Sequence, residues 1–130
     1  MAEATVAQVL IDAAEQDLRA ALVLSQAPGI RDALVGFHFQ QCVEKALKAV
    51  LALRGVAFRR THDIAELLDL IADSGLRPPP HADWLDELNP YAAEARYGLV
   101  SPGGLDRAFA ASAAKAVFDW ASGQAVQTPE

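Results

Sequence analysis

Residues 30–53 read IRDALVGFHFQQCVEKALKAVLAL, and this stretch decides the fold. At about 100° per residue, with His38 set at zero, Phe39, Val43, Ala46, Val50 and Leu53 fall within roughly 60–140°. Leu47 and Leu51 widen that apolar arc, and the period predicts a long amphipathic helix. Gly55, directly after Arg54, supplies a helix stop. His38, Gln41, Lys45 and Lys48 fall together within roughly 80° on the other side of His38, bordering the apolar arc. Arg31 lands near His38, and Glu44 lies just beyond the stripe.

Two ammonium groups, an amide and an imidazole on one line suit an anion such as a phosphate, together with the polar edge of a base. The same pattern also suits an ordinary solvated helix side, with Glu44 pairing Lys48 at i, i+4. Cys42 sits in the apolar run with no obvious base nearby, so it reads as an inert small hydrophobe.

Working outward, the periodicity predicts a first helix over residues 4–26, with Val6, Leu10, Ala13, Asp17, Ala20 and Leu24 near helical spacing. Pro28-Gly29 stops it. A third helix opens at Thr61, a threonine N-cap with acids in the first turn, and points Leu67, Leu68 and Ile71 at the core. Ser74-Gly75 closes it, and Pro78-Pro79-Pro80 form a stiff linker. A fourth helix starts near His81 or Ala82 and carries Trp84, Leu85 and Leu88. Pro90 breaks it or opens a short helix over 91–97. After a loop over 98–104, a last helix over 105–121 buries Ala108, Phe109, Val117 and Trp120. Four or five helices joined by short loops imply an all-α, antiparallel up-down bundle over residues 1–124, followed by a flexible tail over 125–130.

Composition agrees. A chain of 130 residues that is 52% hydrophobic can bury one core without staples. A single cysteine forms no internal disulfide, so a reducing, cytoplasmic location is expected. No run reaches the ~18 apolar residues of a membrane span, and no basic leader precedes the first helix. A net charge of -6 argues against broad, sequence-independent grip on nucleic acid, yet permits a small basic pocket. Three scattered histidines and one cysteine offer no metal-ligand spacing, and no motif asks for a cofactor.

Two further places bear chemistry. His62 and Asp63 follow Arg59-Arg60 at a helix N-terminus, which serves an anion or plain capping. Arg96-Tyr97 can clamp a phosphate and stack on a base; equally, Tyr97 can pack inward while Arg96 pairs with Glu94. His81, Trp84 and Trp120 read as one surface residue and two core residues.

Taken in order, three segments resemble a known family. Phe37-His38-Phe39-Gln40-Gln41-Cys42-Val43-Glu44-Lys45-Ala46-Leu47-Lys48-Ala49 resembles the FHxQQxxEKxLKA helix of HEPN domains. Arg60-Thr61-His62-Asp63-Ile64-Ala65-Glu66-Leu67 resembles the THDLxxL step that follows, and Tyr91-Ala92-Ala93-Glu94-Ala95-Arg96-Tyr97 resembles the late YxxxxRYP element. The resemblance implies a helical bundle that is often dimeric, binds nucleotides or RNA, and works beside a minimal nucleotidyltransferase in toxin–antitoxin-type systems. It implies a cleft shared by His38, Gln41, Lys45, His62, Arg96 and Tyr97.

The sequence departs from the family at two points. Gly98 stands where a proline usually follows Arg-Tyr. The late Arg, four to six residues, then His of the ribonuclease members is missing; Arg31 and His38 have that spacing but lie in the wrong helix. A nucleotide- or RNA-binding module is therefore expected ahead of a metal-independent ribonuclease using His38, His62 or Arg96. A plain helical interaction subunit, associating with itself or a partner, is the third reading.

Overall fold

The computed structural model describes residues 5–92 and 104–127. Helix α1 (Val6–Gln26) begins at Thr5, whose hydroxyl accepts from the Gln8 amide at 3.0 Å. Its buried stripe is Ala7, Ile11, Ala14, Leu18 and Ala21. This lies to one side of the expected stripe: Val6 is exposed, while Leu10 and Leu24 pack at the border of the core. The reason is that α1 carries apolar residues around most of its circumference, so periodicity alone does not choose the inward face.

Helix α2 (Asp32–Leu53) is the axis of the molecule. Among the described residues it packs against every other helical element: α1, α4 (Arg107–Gln127), α3 (Ile64–Asp73) and the 3-10 segment η1 (Leu85–Tyr91). Val35, Phe39, Cys42, Val43, Ala46, Leu47, Ala49, Val50 and Leu51 are all fully buried. Burial pushes the Cys42 thiol up to about 12, in keeping with an inert role. The helix ends as expected, with Gly55 at φ +70° and the Val56 amide donating back to the Leu51 carbonyl at 2.9 Å.

The cap of α3 differs from expectation. Asp63, not Thr61, is the N-cap; its carboxylate accepts from the Ala65 amide at 2.9 Å. The Thr61 hydroxyl instead accepts from Asp63 N at 3.0 Å, one step earlier, so the two side chains form consecutive turns. Asn89 ties η1 to this corner by accepting from Ile64 N and donating to Asp63, each at 2.9 Å. The expected fourth α-helix is a turn followed by η1, with Pro90 inside it. Pro90 has no amide to donate and its ring clashes with a preceding carbonyl, which disfavours an α-helix interior at this point.

Helix α4 runs to Gln127, into the stretch expected to be a tail. Its buried face is Ala110, Ala113, Ala114, Val117 and Ala121; Ala108 and Phe109 are exposed and Trp120 is only half-buried. Small side chains let α4 lie close to α1 and α2, and the bulky aromatics stay outside that contact. Arg107 fastens its start. The guanidinium donates to Asp32 Oδ1 at 2.7 Å, to the Ser25 carbonyl at 3.0 Å and to the Ile30 carbonyl at 2.6 Å. Among the described residues no helix is long and apolar enough to cross a membrane.

Candidate functional site

The polar stripe of α2 divides into two clusters, each built on a carboxylate. The first is Asp17 of α1. Its Oδ2 accepts from Lys45 Nζ at 2.6 Å, and its Oδ1 lies 3.0 Å from His38 Nδ1. The Asp17 side chain is 13% exposed, against 28% for Lys45 and 24% for His38, so the acid sits beneath the two groups it holds. The His38 ring also meets the Phe37 ring edge-to-face, with centroids 5.2 Å apart.

The second cluster centres on Glu44, whose side chain is only 4% exposed. Gln40 Nε2 and His62 Nδ1 meet Oε1 at 3.0 and 2.9 Å, and Lys48 Nζ donates to Oε2 at 2.9 Å. Gln41 donates to Gln40 Oε1 at 2.7 Å and, at the 3.5 Å limit, to Glu44. Burial alone would raise the Glu44 carboxyl, but donors from Gln40, Lys48 and His62 outweigh it and hold it below the usual carboxylate range. Gln40, itself fully buried, also donates to the His62 carbonyl at 3.1 Å. The loop between α2 and α3 is thus pinned to α2 through both the backbone and the side chain of His62. Lys48 lies over the Phe58 ring of that loop, 5.9 Å from its centroid.

His38 and Lys45 therefore share one anchor, while Gln41, Lys48 and His62 share another. The two clusters adjoin on α2, where Glu44 and Lys45 are neighbours in sequence. Asp63 belongs to neither cluster, since it caps α3. Arg96 and Tyr97 lie outside the described residues. Arg31 stands two turns before His38, exposed at the start of α2. Asp17 and Gln40 were not singled out from the sequence. For Asp17 a signal existed: a carboxylate in a register otherwise filled by Leu10, Ala13, Ala20 and Leu24 asks for a buried partner.

With both imidazoles neutral, the clusters balance two ammonium groups against two carboxylates. Each carboxylate takes one imidazole at Nδ1, which leaves Nε2 as the nitrogen available to a ligand. His62 is the most open of these groups, with 64% of its side chain exposed. Among the described residues no group of three or more His, Cys, Asp or Glu side chains gathers that could hold a metal ion.

A family model for the HEPN domain matches residues 7–124, and the chain belongs to this family. The crystal structure of ST0689, an archaeal HEPN homologue, is similar to the whole fold, with a TM-score of 0.62 and 28% identity over 94% of this chain and 98% of that one. Over 54 residues the chain is 50% identical to a protein of Methanocaldococcus jannaschii named "Putative toxin MJ1304". That stretch is 42% of this chain and 34% of the archaeal protein, so the chain spans about a third of that relative's length.

Proposed function

We propose that the chain is a toxin-type HEPN module that binds a nucleotide or an RNA strand along the polar face of α2, beside a minimal nucleotidyltransferase partner. The observation that carries this reading is the pair of carboxylates, half-buried Asp17 and buried Glu44, that hold Lys45, His38, Lys48 and His62. Each ammonium gives one of its three donors to its carboxylate and keeps others for a ligand. Donors held in place before a ligand arrives lose little freedom on binding. The local charge balance suits one or a few phosphates recognised together with a base or hydroxyl, in accord with the overall charge of -6. The toxin assignment draws on the likeness to the archaeal relative, and the partner on family membership. Calorimetric titration with nucleoside triphosphates and a short single-stranded RNA tests the reading; heat with at least one is expected, and none with any of them overturns it.

One observation favours a second reading, a metal-independent ribonuclease. An imidazole held at Nδ1 by a carboxylate is the arrangement of a general base, and His62 has it from Glu44 and His38 from Asp17. Such a base would take the proton of an RNA 2′-hydroxyl as that oxygen attacks the adjoining phosphate; a 2′,3′-cyclic phosphate forms, the bond from phosphorus to the 5′-oxygen breaks, and the leaving 5′-oxygen takes a proton from an imidazolium or from solvent. RNA cleavage that survives both His38→Ala and His62→Ala would exclude these bases.

A further inference from the structure

Where the chain passes from Pro78-Pro79-Pro80 into η1, it meets the start of α4 through aromatic rings. The Phe109 ring takes that of Trp84 at a centroid distance of 4.8 Å and that of His81 at 5.4 Å, each at an interplanar angle of 79°. His81 has φ +59°, a left-handed conformation uncommon in residues other than glycine. Its carbonyl accepts from the Trp84 and Leu85 amides at 2.8 and 3.2 Å, and Leu85 is fully buried, so this turn holds the His81 and Trp84 rings against α4. Even so, Phe109 remains 39% exposed, His81 is exposed and Trp84 is half-buried. Single exposed apolar residues are ordinary, whereas adjoining rings left in water mark a contact surface.

The rim of this patch is acidic. Asp83 and Asp86 flank Trp84 in sequence. Glu87 follows Trp84 by one 3-10 turn on the same side, its amide donating to the Trp84 carbonyl at 2.8 Å. Asp106 stands on the α4 side, its Oδ1 accepting from the Phe109 amide at 3.0 Å. Asp83, Asp86, Glu87 and Asp106 are all exposed. The ion pairs among the described residues use other acids: Asp17, Asp32, Glu44, Glu66 and Asp119. Of the cations nearest in sequence, Arg107 is engaged by Asp32 and by the Ser25 and Ile30 carbonyls, and Arg77 is set off from His81 by the prolines.

We propose that this patch docks a basic segment of a partner polypeptide, with an arginine of that segment laid against the Trp84 and Phe109 rings. An aromatic face attracts a guanidinium through its quadrupole, and tryptophan does so best. The planar group stacks on a ring while its N–H groups reach carboxylates at the edge. The rim supplies carboxylates from both sides, Asp83 and Glu87 beside Trp84 and Asp106 beside Phe109. Charge decides between occupants. Acids without a cation repel the phosphates of a nucleic acid or of an anionic lipid surface. They also make a poor match for a second copy of this chain, whose net charge is -6. The patch shares no residue with the polar row on α2, so the proposal does not depend on the nucleotide reading.

Calorimetric titration of the full chain with a short peptide of alternating arginine and glycine tests this, with no nucleotide present. The wild type should bind the peptide, and the same peptide with citrulline for arginine, which keeps the shape and loses the charge, should give no heat. Phe109→Ser should weaken binding at least about threefold. Asp83→Asn with Asp106→Asn should do the same; asparagine keeps an oxygen for the Phe109 amide, so the start of α4 stays capped. Asp12→Asn with Glu15→Gln removes as much charge from α1 and should leave binding unchanged. Circular-dichroism melts should show each variant folded, since the substituted side chains are exposed or half-buried. No binding by the wild type, equal binding of the citrulline peptide, or equal loss in the α1 variant would overturn the proposal. So would full affinity in Phe109→Ser, or self-association of the chain that Phe109→Ser abolishes, which would give the patch to a second copy.

Discussion

Glu44 Oε1 lies 2.9 Å from His62 Nδ1 across 18 residues of sequence, joining a side chain that is 4% exposed to one that is 64% exposed. A buried carboxylate thereby holds an imidazole at the surface and, through Lys48, an ammonium beside it. The loop between α2 and α3 takes its position from this contact, and so does one end of the proposed ligand-binding row.

The pH dependence of stability follows from the same group. Glu44 titrates below its ordinary 4.5 in the folded protein, so the unfolded chain binds the proton first as pH falls. Its contribution is complete above about pH 4.5 and is lost as pH drops through the lower folded value. Asp32 acts in the same sense, held down by the Leu105 amide and Arg107. Melting temperatures should be flat near neutrality and fall in acid. Glu44→Gln should have the shallower acid slope, with a remainder due to Asp32.

At neutral pH, Glu44→Leu should cost about 3 kcal/mol, because it strands the half-covered Lys48 ammonium and two amide donors. Urea denaturation measures this. A loss under about 0.5 kcal/mol would class the pair with ordinary surface ion pairs.

Asp17→Asn should act in opposite directions on stability and binding. It takes away the negative charge and one of the two acceptor oxygens that Lys45 and His38 use, at a cost of about 1–2 kcal/mol. It also leaves the row with one more net positive charge, and phosphate-containing ligands should bind about threefold to tenfold tighter, with a steeper salt dependence. Titrations at two salt concentrations would show both changes.

Gly36 lies in the middle of α2 because the ring of Tyr91 rests on its backbone; a Cβ there would overlap that ring. Gly36→Ala should therefore destabilise by about 1–3 kcal/mol, although alanine is the better helix former. Pairing it with Tyr91→Leu should recover part of the loss, readable in thermal melts.

Arg107→Ala should lower stability by about 2 kcal/mol, since its guanidinium joins Asp32 to the carbonyls of Ser25 and Ile30. Arg107→Lys should recover little of it, because a single ammonium cannot span three divergent acceptors. Chemical denaturation of the two variants checks this.

The helices of this fold were legible wherever the sequence carries both period and punctuation. α2 has its apolar arc and Gly55, and α1 has its Pro28-Gly29 stop. The inward faces of α1 and α4 were not, because alanine fills so much of both helices that several faces are equally apolar. The real α4 contact excludes Phe109, which hydrophobicity alone would have buried. Within the site, Glu44 with Lys48 could be read from i, i+4 spacing, as a local pair on one helix. Asp17 with Lys45, and Glu44 with His62, depend on how α1 and the α2–α3 loop lie against α2, and no local pattern encodes that. Gln40 shows this most clearly: it becomes a fully buried donor only once that loop crosses it.

Calorimetry with variants along the row tests the central claim, that the carboxylate-held face of α2 is a nucleotide or RNA site. The wild type should bind at least one nucleoside triphosphate or a short single-stranded RNA. Lys45→Ala and His62→Ala should each weaken binding at least about tenfold. Lys115→Ala, on the exposed side of α4 and paired with Asp119, should leave it unchanged. Equal affinity for the wild type, Lys45→Ala and His62→Ala would contradict the account.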